Sequence, residues 1–199
     1  MNFDTVKESL LFAHRRLDEL KTLNNGDLAN AKPEDRQILT QEFLFHLVGA
    51  VEILAQVINK QRNLGLDPER AGVRSVSCRL EMNDPVRSLL SQLYPTTRSK
   101  DQRWLPLPRD PYSHEGRFFR IIILTQWVNH CGENPFNSRR GAEAKVSLIL
   151  DPRNPSAGDS KLDAIDELET FWSLVNQKCQ QITAILASET TVASSKNSA

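Results

Sequence analysis

Cysteine is scarce in this 199-residue chain, with only Cys78, Cys131 and Cys179. An odd, widely spaced set without a Cys-x-x-Cys pair argues against a disulfide framework and against a structural zinc site. The thiols read as reduced, which fits the cytoplasm. Neither sign of charge is in excess: Lys+Arg and Asp+Glu are both 25, for a formal net charge of zero. A general nucleic-acid binder usually carries a basic surplus that holds phosphates, so RNA binding here would need a local patch. The N-terminus "MNFDTVKESLLFAHRR" has no basic region followed by an apolar stretch, so no signal peptide is expected. No uninterrupted apolar run approaches the roughly 18 residues that span a bilayer, and no membrane partner is expected. The glycine-rich nucleotide fingerprints, the nucleophile elbow and the His-Glu-x-x-His zinc helix are all missing. A di-iron helical bundle needs paired Glu-x-x-His motifs. Glu42 and His46 are spaced one residue wider, and there is no second copy. No metal and no cofactor are therefore expected.

What is present is helical periodicity. Phe3, Val6, Leu10, Phe12, Leu17 and Leu20 predict a helix over about residues 2–23, stopped by Asn24-Asn25-Gly26. Pro33, tolerated in a first turn and followed by Glu34 and Asp35, opens a long helix to about Asn63, with Gly65 as its closing residue. At about 100° per residue, Leu44, Leu47, Val48, Val51, Ala55 and Ile58 share an arc of about 100°, with Leu54 at its edge. Glu42, His46, Gly49, Ile53 and Gln56 lie opposite, flanked by Phe43 and Phe45. This second, polar face needs a covering helix, a second subunit or the chain's own proline-rich loop. As a site it offers His46 and Glu42; as plain structure, His46 is an interhelix hydrogen-bonding residue.

Asn83-Asp84-Pro85 starts a short helix that ends before Pro95. A long proline-rich loop follows, with Pro106, Pro108 and Pro111, and Trp104 and Leu105 as its anchors. "RFFRIIILTQWVNHC" is apolar all round, as a central helix is. Ala144 to Leu150 alternates like a short strand. Ser160 and Asp163 resemble a capping box. Ile165, Leu168, Trp172, Val175, Cys179, Ile182 and Leu186 then mark a closing helix packed nearly antiparallel in a bundle. From Ser188 the polar sequence predicts a disordered tail.

The chemistry-bearing candidates cluster at residues 126–140. His130 can deprotonate a 2′-OH or protonate a leaving oxygen, as in a metal-free ribonuclease. Asn129 can orient either group, and Gln126 lies one turn earlier on the same face. Arg139 and Arg140 can hold phosphate. Arg120 is about 15 Å of helix away from His130 and cannot join it. The alternative is structural: a His in a last helical turn suits the negative dipole end, Cys131-Gly132 is a plausible stop, and an Arg pair is commonly a solvated surface.

Three segments, "EFLFHLVGAVEILAQVINK", "WVNHCGENPF" and "DELETFWSLVNQKCQQI", with the turn "LDPRNPS" before the last, resemble in their order the HEPN superfamily of small all-helical bundles, and uncharacterised bacterial HEPN-like proteins in particular. The resemblance spans roughly Gln41 to Leu186. It implies an all-α antiparallel bundle and a homodimer. In HEPN nucleases four to six residues, the first usually polar, separate an Arg from the His that follows it. With His130 as the His, those places hold Thr125, Leu124 and Ile123, and none is basic. The resemblance thus implies a relative that associates with RNA or protein, its catalytic capacity lost or weak. The alternatives are a metal-independent endoribonuclease of a toxin or defence system, and a structural interaction module unrelated to RNA. The expected architecture is an all-α bundle of about five main helices, with one short β element and the proline-rich loop. It forms one domain over residues 1–187, with a tail over 188–199.

Overall fold

A computed structural model describes residues 2–25, 33–93, 136–138, 146–148 and 164–196. Five α-helices account for most of them: α1 (Phe3–Asn25), α2 (Pro33–Gln61), α3 (Val73–Arg79), α4 (Pro85–Leu93) and α5 (Ala164–Lys196). The described chain is all-α in class. Two three-residue segments, β1 (Phe136–Ser138) and β2 (Val146–Leu148), pair antiparallel with Phe136 opposite Leu148.

Local chemistry sets the helix ends. Asn2 caps α1, its Oδ1 accepting from the Thr5 N–H at 3.1 Å. At the end of α2 the Leu64 N–H donates to the Asn59 carbonyl and the Asn63 N–H to that of Lys60. Asn63 has φ 48°, so this is a Schellman stop with Asn63 at its left-handed position. The sequence pointed to Gly65, which follows with φ 69°. Asn, the other residue that tolerates this conformation, takes the closing role two residues earlier. The Asn59 side chain then holds the turn, donating to the Leu66 carbonyl at 2.8 Å and accepting from its N–H at 3.1 Å.

Cross-links fix how the long helices run. Ser9 meets His46, and Arg16 meets Glu42, so α1 and α2 run in opposite senses. Trp172 Nε1 donates to the Leu10 carbonyl at 2.9 Å, and Lys21 pairs with Glu169 at 2.8 Å, so α5 is also opposed to α1. Between these helices lie Leu17, Phe43, Leu44, Leu47, Leu54, Ile58 and Phe171, all fully buried. At one end Arg62 ties three elements together. It reaches Asp84 before α4 at 3.2 Å and Glu189 in α5 at 2.7 Å.

Three expectations need correction. Phe43 is not on the polar side of α2: it is 0 % exposed. Plotted at 100° per residue, the buried set Thr40, Phe43, Leu44, Leu47, Ala50, Val51, Leu54, Ala55, Val57 and Ile58 spans about 160°. The stripe is wider than one neighbour requires because α1, α3 and α5 all pack on α2. Ile53, expected on the same polar side, is partly buried against the core. The helix α5 does not end at Ser188. It runs to Lys196, and the Glu189–Arg62 pair anchors it past the expected boundary. Ile38–Gln61 is long and apolar enough to cross a membrane by length and composition alone. Its glutamates interrupt any continuous apolar run, which is why a search for runs passes over it. Its apolar stripe is the core-facing side of α2.

The short α3 packs on α2 through an uncommon cap. Gly72 offers no side chain, and the Val73 N–H donates instead to Glu52 Oε2 at 3.3 Å. A Cβ at Gly72 would sit 3.1 Å from that oxygen. Burial pushes the Glu52 carboxyl above its ordinary 4.5, while the Val73 bond pulls it the other way. A folded pKa above the unfolded one means that Glu52 stabilises the fold at low pH and that this contribution is lost as pH rises from about the ordinary value through the folded one. Glu52→Gln, which keeps a carbonyl acceptor, is expected to melt at or above wild type at pH 7, with the gap closing toward pH 4.5. Glu52→Ala leaves the Val73 N–H without its acceptor and is expected to cost about 1 kcal/mol. Thermal melts of both variants at the two pH values check this.

Candidate functional site

The residues proposed from sequence as the catalytic and phosphate-binding set, His130, Asn129, Arg139 and Arg140, lie outside the described residues, as do Gln126, Arg120 and the proline-rich loop. The secondary pair, His46 and Glu42, is described, and the structure brings both to the seam between α1 and α2.

His46 sits at the edge of the buried arc of α2, where α1 passes over it. Its carbonyl accepts from Ser9 Oγ at 3.1 Å. Its ring lies between two phenylalanines, with Phe12 of α1 at 5.3 Å between centroids and Phe45 of α2 at 5.5 Å in a T-shaped contact. Phe45 is 67 % exposed and Phe12 42 % exposed. Ile38, two turns before Phe45 on the same side of α2, is 51 % exposed. Partial burial holds the His46 pKa below its ordinary value; Glu42 works against this and Arg16 with it.

The charges around this patch carry both signs. Arg16 bonds Glu19 on its own helix and lies 3.1 Å from Glu42 through Nε. That last N–H is not aligned on the carboxylate, so Nε is left without a hydrogen bond. Arg15 stacks over the Phe12 ring at 5.7 Å. Glu42 therefore serves as an ion-pair partner across the helix seam. Among the described residues, neither it nor His46 is brought against a further acid, base or nucleophile that would make a catalytic pair. Among the described residues no group of three or more His, Cys, Asp or Glu is placed to hold a metal ion.

Sequence reading assigned Phe12 to the buried side of α1, and it missed Arg16 as the link to Glu42. Phe12 follows Leu10 and Leu11 in an apolar run, so spacing alone could not tell that Leu10 is buried while Leu11 and Phe12 are exposed. The signal that could have separated them is the polar pair Arg15 and Arg16, which shares the side of α1 that carries Phe12.

No family model, no curated protein and no solved structure matches the chain. The reading of this site therefore stands on its own geometry.

On the other side of α1, a groove of about 570 Å³ runs between α1 and α5, lined by Val6, Leu10, Leu11, Trp172 and Cys179 among others. The Trp172 indole is satisfied by Leu10, and its ring meets His14 edge-on at 4.4 Å. His14 in turn lies 3.0 Å from Asp18. Burial pushes the Cys179 thiol up to about 12. It stays protonated at physiological pH and is no nucleophile. Cys78 is exposed and unbonded.

Proposed function

We propose that this is a HEPN-like helical protein that works by association, with catalytic capacity lost or weak. In this reading α1, α2 and α5 are staves of an antiparallel helical bundle, the β1–β2 ladder is its one short β element, and the protein acts in the cytoplasm as a homodimer. The observation that carries the proposal is the exposed aromatic patch of Phe12, His46 and Phe45 on the α1–α2 seam. A large ring such as Phe45, mostly in water beside a second ring, marks a surface that gains free energy when covered. The charges around it, Arg15 and Arg16 with Glu19 and Glu42, carry both signs, so a second copy would not meet a surface of a single repelling sign. Sedimentation of the full chain at tens of micromolar is expected to give a dimer, and Phe45→Asp to give a folded monomer. A wild-type monomer under these conditions removes the dimer, and a dimer that survives Phe45→Asp places the interface elsewhere.

The ribonuclease alternative rests on His130 and is tested separately. Little or no RNA cleavage is expected, because Thr125, Leu124 and Ile123 stand where the resemblance calls for a phosphate-binding Arg. A lone His can move a proton but cannot hold a phosphate in line or offset its developing charge. Loss of one such electrostatic partner commonly costs about 10² to 10³ in rate. The assay is a labelled RNA pool with EDTA, comparing wild type, His130→Ala and Arg139→Ala/Arg140→Ala. Robust wild-type cleavage that disappears in His130→Ala overturns the non-catalytic reading. Its disappearance in the double variant as well assigns the charge to Arg139 and Arg140.

A further inference from the structure

We draw no further inference here: the strongest candidate, the apolar groove between α1 and α5 lined by Val6, Leu10, Leu11, Trp172 and Cys179, carries nothing, because nothing in the structure shows what covers it.

Discussion

Val175→Asp is expected to lower the stability of the protein by about 3 kcal/mol or more. Val175 is 1 % exposed and lies in the seam of α5 with Phe171, Cys179 and Ile182, all equally buried. An aspartate there would carry a charge into a region lined by apolar side chains, without a cation to pair it among the described residues of the seam. In practice such a group becomes protonated, and the cost appears as a raised pKa and a loosened helix contact. For a chain of this size, each kcal/mol moves the melting temperature by roughly 2–4 °C, so a drop of about 6–12 °C or more is the expected result. Gln181→Asp, at an exposed position of the same helix, is the control and should move it little. If Val175→Asp melts within a degree or two of wild type, α5 does not close the core.

Two phenylalanines one residue apart on α2 are expected to behave oppositely. Phe43→Ala should cost about 3–5 kcal/mol, the usual loss for a buried aromatic ring and the cavity it leaves. Phe45→Ala should change the stability of the monomer by no more than about 0.5 kcal/mol. The contrast follows from exposures of 0 % and 67 % at positions 43 and 45. Urea denaturation at low protein concentration, where association does not contribute, measures both. Equal costs would mean that the phase of α2 is wrong, and with it the position of His46.

That phase is also where reading the sequence reached its limit. Periodicity located α1, α2, α4 and α5 closely, because each carries an apolar stripe bounded by Pro, Asn or Gly. It placed Leu44, Leu47, Val51, Ala55 and Ile58 correctly on the buried side of α2. It misplaced Phe43, because a stripe of fixed width assumes one packing partner, whereas among the described elements α1, α3 and α5 all pack on α2. It did not find α3, whose seven residues, "VRSVSCR", amount to two turns and whose cap comes from Glu52, twenty-one residues earlier. It ended α5 too early, because "SETTVASSK" is polar and lacks periodicity. One contact beyond the expected end, between Glu189 and Arg62, is tertiary, and no local pattern encodes it. The His46–Glu42 face was legible as the side away from the main stripe. Its completion by Phe12 and Arg16 was not, since those residues lie on another helix and meet the face only through tertiary packing.

The hydrogen bond from Trp172 to the Leu10 carbonyl joins positions 162 residues apart, and this sets a timetable for the newborn chain. At a synthesis rate of about 5–20 residues per second, α1 leaves the ribosome roughly 8–30 s before the helix that covers it. During that interval α2 can fold back on α1, since their contacts are close in sequence. Val6, Leu10 and their neighbours on the α5 side wait in water. Each unfinished chain thus carries an adhesive stripe along its first helix, and neighbouring chains on one message present the same stripe together. A message cut before the codons for α5 would release products that lack this cover, and these are expected among the insoluble species or bound to chaperones.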